Sequence, residues 1–394
     1  MVHCGKTGSQ RKQGDSVRVN TREFVQEYTL LECIQCGRCT GGCPVSMKTA
    51  LNIRGIIYEA MIEDSMEVSG MEVLWDCTNC LTCTTRCPKD IHPADVIIGL
   101  RGYIVGEGKG VPPRVRDALM SAFTRGNTLG FATEDREVWA EELDFEIKNV
   151  LDEGETDLLF YVGCTPAYDP RIQPVTRALA TVFSRVGIDF GTMGMDEFCC
   201  GNEIKRIGEA EGFESMAEEF HEMLQEFEAK RMVTASPHCF NTFKNEYGEM
   251  PFPVQHYTQL LAEMIEQGAL TFGKEIRKKV TYHDPCFLGK HNQIYDEPRH
   301  IIQSIPGIEF EDLDRSRERS VCCEGGGGRM WAEGTNIEER LAHQRVRDAV
   351  DLGAEVLAVA CPFCLLTLED AVKILGLDDK IQVLDIMELV AQAM

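Results

Sequence analysis

No stretch of this sequence stays apolar long enough to cross a bilayer. The longest, residues 356–368, is interrupted by Pro362 and falls short of the roughly 20 residues a spanning helix needs. Residues 1–30 hold no apolar leader core, so no secretory signal is expected. Positive charge is scarce: 40 Lys and Arg stand against 64 Asp and Glu, a formal net charge of −24. That excludes nucleic acid, whose backbone demands a basic footprint. No G-x-G-x-x-G opens a helix, so neither flavin nor a nicotinamide dinucleotide is expected on this chain itself. The glycines at 325–328 lack that spacing and suit a tight turn. These absences leave a soluble, acidic, cytoplasmic chain, or one lying peripherally on a membrane subunit. Its acidity reads as a solubility device or as an acidic face for a basic partner.

The length, 394 residues, implies two or three domains, and 43% apolar with 26% charged residues is a globular composition. Eighteen cysteines are the anomaly. A chain this long buries a core without disulfide staples, and its cysteines fall in Cys-x-x-Cys clusters, which points to metal in a reducing compartment. Cys4 has no partner at ligand spacing and reads as a bystander.

Two segments repeat one spacing. Cys33, Cys36, Cys39, Cys43-Pro44 and Cys77, Cys80, Cys83, Cys87-Pro88 both follow C-x2-C-x2-C-x3-C-P. In the bacterial ferredoxin pattern three thiolates hold one [4Fe-4S] cubane and the fourth crosses to the other. That pairs Cys33, Cys36 and Cys39 with Cys87, and Cys77, Cys80 and Cys83 with Cys43. A zinc module is the bland alternative. Residues 48–73 between them carry a helical period at Leu51, Ile53, Ile56, Ile57, Ala60 and Met61.

From residue 157 strands and helices alternate, the mark of parallel βαβ units. Strands are expected at 158–163, 188–193 and 232–235, with helices at 174–186 and 211–230. The order then returns, with strands at 280–282, 308–310 and 356–360 and helices at 298–305 and 338–352. Cys164 and Cys286 are 122 residues apart, Cys199 and Cys322 are 123, and Cys239 and Cys364 are 125. Such constancy is a duplication. The second copy has five cysteines (Cys286, Cys322, Cys323, Cys361, Cys364). The first has four (Cys164, Cys199, Cys200, Cys239), with Ser236 where Cys361 stands. Serine is a poor iron ligand beside a thiolate, so the first copy holds a different cluster, a weaker one, or none. Adjacent cysteines are awkward for a disulfide but suit a cluster with several irons.

The expected architecture is a multidomain α+β and α/β chain: a flexible arm at 1–24, a helical two-cluster ferredoxin-like domain at 25–110, a linker or helical segment at 111–156, and α/β repeats at 157–275 and 276–394. The acidic run 134–157 is expected to be a domain boundary and solvated surface.

A ferredoxin domain followed by a duplicated Cys, Cys-Cys-Gly, Cys-x-x-Cys domain resembles the CCG family, and in this order the D-type subunit of heterodisulfide reductase. The local wording agrees at Tyr282-His283-Asp284-Pro285-Cys286, Asp296-Glu297-Pro298-Arg299 and Ile305-Pro306-Gly307-Ile308. Similar architectures serve glycolate, lactate and anaerobic glycerol-3-phosphate dehydrogenases. The resemblance implies anaerobic metabolism such as methanogenesis, two [4Fe-4S] cubanes, and a noncubane [4Fe-4S] cluster on Cys286, Cys322, Cys323, Cys361 and Cys364. Glu324 replaces the family glycine after the cysteine pair, and its carboxylate is expected beside the cluster, lowering its potential or repelling an anionic substrate.

Three readings compete. In the first, electrons arrive singly through the cubanes and a disulfide, such as the CoM-S-S-CoB heterodisulfide, is cleaved to thiols. His283 and His291, flanking Cys286, are then the candidate proton donors or plain backbone-bonded turn residues; His238, next to Cys239, reads as a support for a cysteine ligand or as structural, not as catalytic. In the second, the chain is a non-catalytic electron-transfer subunit of a flavin dehydrogenase or another anaerobic reductase. The third is a zinc scaffold. In the first two, a partner subunit carries the flavin or haem.

Overall fold

The computed structural model describes residues 16–336 and 338–394, so Cys4 and most of the expected arm lie outside the described residues. The described chain begins inside the first domain. Val17 and Val19 are buried, and β1 (Arg18–Asn20) pairs antiparallel with β2 (Ser65–Glu67). Residues 16–24 are therefore built into the domain, because their alternating apolar side chains face its core. The helical period between the cysteine motifs becomes one helix, Ile53–Ile62, with Ile53, Ile56, Ile57 and Ala60 inward; Asn52 caps it by accepting from the Gly55 N–H at 3.0 Å. A second helix, Pro93–Gly106, carries Val96, Ile97, Leu100 and the fully buried Arg101.

The first repeat is a five-stranded parallel sheet. Its strands are β3 (Lys148–Asn149), β4 (Glu155–Tyr161), β5 (Phe190–Thr192), β6 (Glu228–Thr234) and β7 (Val254–His256), in the order β3-β5-β4-β6-β7. The second has four: β8 (Lys279–Tyr282), β9 (Glu309–Phe310), β10 (Val356–Val359) and β11 (Gln382–Asp385), in the order β11-β10-β8-β9. Strands β5-β4-β6-β7 and β9-β8-β10-β11 share one neighbour order, so the duplication extends to topology. Because all these strands run parallel, every cysteine-bearing turn emerges at the carboxyl edge of its sheet, where such folds place their sites.

The segment expected as a linker is largely structural. Pro113–Arg125 is a helix, β3 joins the first sheet, and Arg136 and Trp139 are buried. The acidic run thus closes the first repeat; its few apolar residues and one arginine supply the inward face. The expected helix 211–230 ends earlier, at Met223, because β6 takes residues from 228 onward, Glu228 pairing with Glu155 of β4. Between the repeats, Tyr257 donates to Asp385 at 2.6 Å and Arg171 bonds Glu369 and Glu388 at 3.0 Å.

Candidate metal centres

The first ferredoxin motif turns through left-handed backbone at Gln35 and Gly37, the second at Asn79 and Leu81. These turns curl each motif around a centre. Cys33, Cys36, Cys39 and Cys87 line one cavity. Cys77, Cys80 and Cys83 lie within electrostatic reach of Cys43. The sulfurs are thus grouped across the two motifs. Cys36 is exposed and its three companions are half-buried, whereas the second set is buried throughout. Burial pushes the Cys77 thiol up to about 12 and raises those of Cys43 and Cys83. Beneath the second set the Arg101 guanidinium donates to the carbonyls of Leu74, Cys77, Arg206 and Gly327. One side chain so ties the ferredoxin domain to both repeats.

In the second repeat the sulfurs form a connected set. Cys286 contacts Cys322, Cys322 contacts Cys323, Cys323 meets Cys364 at 3.3 Å, and Cys364 contacts Cys361. Cys322 also contacts Cys80 of the second ferredoxin motif. The first repeat copies this geometry one sulfur short: Cys164 to Cys199, Cys199 to Cys200, and Cys200 to Cys239 at 3.3 Å. Ser236 precedes helix Pro237–Asn245 as Cys361 precedes Pro362–Leu375. A buried Arg136–Glu197 pair at 2.7 Å stands beside Cys164, and Glu197 also accepts from the Val162 and Gly163 N–H groups at 2.8 Å.

The donor set fits iron–sulfur clusters. All 17 described cysteines are free. Two pairs sit at 3.3 Å, beyond a disulfide bond. Buried thiols so crowded suit soft metal, which takes them as thiolates. N–H groups are aimed at the sulfurs: Glu324 to Cys322 at 3.3 Å, Gly201 to Cys199 at 3.4 Å, and the Asn79 amide to Cys77 at 3.5 Å. Such donors steady thiolates and tune the cluster they hold.

The structure places the three histidines in three different settings. His283 is buried with Nδ1 unpartnered, and it groups with Cys323 and Cys364 within 4.8 Å. Burial takes its pKa down to about 3. His291 bonds the Asn79 carbonyl at 2.9 Å and stacks on Phe287, a turn residue. His238 supports a cysteine, as its sequence position beside Cys239 suggested, but the cysteine is one of the other repeat. From the first repeat it hydrogen-bonds Cys361 in the second, while its Nδ1 meets Glu203 at 3.1 Å and its ring packs on Phe287 and Phe363. Burial opposes its charge, but Cys361 and Glu203 together raise its pKa to about 10. Burial likewise opposes the Cys361 thiolate, yet Cys364 and His238 bring that thiol down to about 5. Adjacency to Cys239 was the only hint in the sequence.

Glu324 turns away from its expected role. Its carboxylate accepts the Leu341 N–H, opening helix Leu341–Asp351, and faces Arg329 at 3.6 Å and Arg340 at 3.9 Å. A helix N-terminus and two guanidiniums attract the carboxylate more than a set of thiolates would.

A 4Fe-4S dicluster domain matches residues 29–91, and a cysteine-rich CCG domain matches twice, at 158–244 and 280–369. The probable iron–sulfur-binding oxidoreductase FadF of Bacillus subtilis is 31% identical over 93% of this chain and 60% of its own length. The EtfAB:quinone oxidoreductase of Syntrophomonas wolfei is 30% identical over 92% of this chain and 58% of its own. The chain therefore spans about three fifths of these two relatives. The D-type subunit of the dihydromethanophenazine:CoB–CoM heterodisulfide reductase of Methanosarcina barkeri is 31% identical over 97% of this chain and 98% of its own.

Proposed function

The chain belongs to the family of the D-type heterodisulfide reductase subunits, and from that premise we propose that it is the iron–sulfur subunit that delivers electrons to a small disulfide at its second repeat. Its coarser role is that of an iron–sulfur, oxidoreductase-type electron-transfer subunit. The contact between Cys80 and Cys322 carries the reading, because it joins the buried ferredoxin-type set to the five-cysteine set without intervening protein. Clusters on Cys33, Cys36, Cys39 and Cys87, on Cys43, Cys77, Cys80 and Cys83, and on Cys286, Cys322, Cys323, Cys361 and Cys364 would supply one-electron transfer. The chain's own residues do the rest: Arg101 clamps the three domains together, Phe287 and Phe363 exclude water, and His238 hydrogen-bonds Cys361. The balanced reaction adds two electrons and two protons to R–S–S–R′ and gives RSH and R′SH. A cavity lined by Arg114, Arg329, Arg340 and Trp331 reaches the ring that packs on Phe363, between Cys361 and Cys364. Arg114, without an ion-pair partner among the described residues, suits an anionic thiol there, while Arg329 and Arg340 face Glu324 and Glu333 also lines the cavity.

A second reading, a conduit without its own substrate serving a flavin- or haem-bearing partner, is favoured by burial. None of the five sulfurs belongs to a residue more than 8% exposed. No described helix is long and apolar enough to cross a membrane, and attachment to a membrane subunit is part of this reading. Electron paramagnetic resonance on the anaerobically reconstituted chain separates the two. A signal that appears on oxidation only with coenzyme M or coenzyme B, and changes shape between them, is expected of the disulfide reductase. A thiol-insensitive spectrum with reducible ferredoxin-type signals would leave the conduit.

A further inference from the structure

The surface over the exposed ferredoxin-type set carries the opposite charge to the chain as a whole. Arg38 and Arg54 line the cavity between Cys33, Cys36, Cys39 and Cys87. Arg38 and Arg86 wall an adjoining notch that includes Gly42, Cys87 and Pro88. Arg86 lies across Gly42 so closely that a Cβ there would fall 2.5 Å from its guanidinium. All three arginines are exposed, and none has an ion-pair partner among the described residues. Lys89, by contrast, is engaged by Glu32 at 3.3 Å, and Glu32 and Asp90 are exposed acids at this edge. Beside Cys33 stand Leu31 and Ile34, 73% and 61% exposed. Where acids outnumber bases 64 to 40, unpaired guanidiniums gathered at the one exposed cluster cysteine are a local reversal. Apolar residues with a charged rim are the anatomy of a protein interface.

We propose that this face docks the acidic face of a small protein electron carrier, with a partner carboxylate seated between Arg38 and Arg86 and Leu31 and Ile34 covered. The proposal rests on the electron-transfer reading and adds the partner's chemistry and its point of contact. It also reverses, at this surface, the acidic face for a basic partner that net charge suggests. Each encounter moves one electron: the carrier is oxidised by one, the group held by Cys33, Cys36, Cys39 and Cys87 is reduced by one, and no atom is transferred. The arginines act within about 8–10 Å, a Debye length, where they outweigh the distant excess of acids.

The test is stopped-flow reduction of the reconstituted chain by a reduced, acidic bacterial ferredoxin, with Ti(III) citrate as the small-molecule donor. Arg38→Glu/Arg86→Glu is expected to slow the ferredoxin reaction at least tenfold at low salt, to lose that deficit at high salt, and to leave the Ti(III) rate unchanged. An unchanged ferredoxin rate overturns the proposal, and so does a deficit that survives high salt. A loss shared by Ti(III) citrate overturns it too, since the arginines would then serve the site and not docking. A change of oligomeric state in the variant would assign the face to a second copy of the chain and equally overturn it. Wild-type centres that accept electrons from neither donor would sink the electron-transfer reading itself.

Discussion

The two repeats share a strand order and a chain of sulfurs, yet they differ at one cysteine position and at the residue that follows the cysteine pair. The second keeps Cys361 at the helix start where the first has Ser236. After the cysteine pair, both repeats pass through left-handed backbone, at Gly201 (φ 75°) and Glu324 (φ 65°). Glycine takes that conformation freely, whereas another residue there costs of order 1–3 kcal/mol. Glu324 offsets the cost by capping a helix and meeting buried Arg329. Ahead of helices Tyr257–Glu266 and Ile386–Ala393 the caps are His256 and Asp385, each completing a capping box. Behind the first repeat's cysteines an aromatic cluster of Tyr161, Phe220, Phe243 and Tyr247 has grown. Duplication thus preserved the frame, while single positions differ and His238 of the first repeat reaches Cys361 of the second.

The largest test of this difference removes a sulfur. Cys323→Ala should abolish the second-repeat signal in electron paramagnetic resonance while the ferredoxin-type signals persist. Cys200→Ala should leave that signal in place, and equal losses from both would erase the distinction. Ser236→Cys attacks it from the other side. If one oxygen-for-sulfur change separates the sites, the variant should take up about four more irons per chain, counted after anaerobic reconstitution. Unchanged iron would mean that Ser236 is not what limits the first repeat.

The turns come next. Gly201→Ala places a Cβ 2.7 Å from the Phe213 ring on left-handed backbone and should cost about 2–3 kcal/mol. Glu324→Gly relieves strain but strips a helix cap and unpairs Arg329, for a net loss of about 1–2 kcal/mol. Anaerobic melting of the two variants should rank them in that order.

The smallest effect is in pH. Burial takes His256 down to about 3, so its contribution is present above its unfolded value of 6.5 and is lost as pH falls below it. Burial raises Asp385 to about 7, so its contribution is present below its unfolded value of 3.8 and is lost as pH rises toward 7. Between pH 5.5 and 7 each should move stability by about 1–1.5 kcal/mol, in opposite directions. His256→Asn should therefore steepen the loss of stability as pH rises, and Asp385→Asn should convert it to a gain.

Much of the frame is legible in the residues. Four-residue apolar runs such as 158–161 and 356–359 announce central strands, and cysteine spacing announces each motif. Strands β7 and β11, at sheet edges, escape because polar residues (Gln255 and His256, Gln382 and Asp385) interrupt them and leave no apolar run. β3 escapes because it lies in an acidic run, and only its partner β5 makes it a strand. At the site, the role of Glu324 escapes for the same reason: the helix it caps begins seventeen positions later.

The sequence by itself determined how the cysteines are spaced within each motif and that the cysteine-rich domain occurs twice, because spacing is read directly along the chain and a duplication keeps it. Tertiary structure alone decided that Cys80 meets Cys322, that His238 of one repeat bonds Cys361 of the other, and that Cys36 faces outward among unpaired arginines. Those neighbours are far apart along the chain, and only the packing of three domains around Arg101 brings them together, burying one set of thiols and leaving another at the surface.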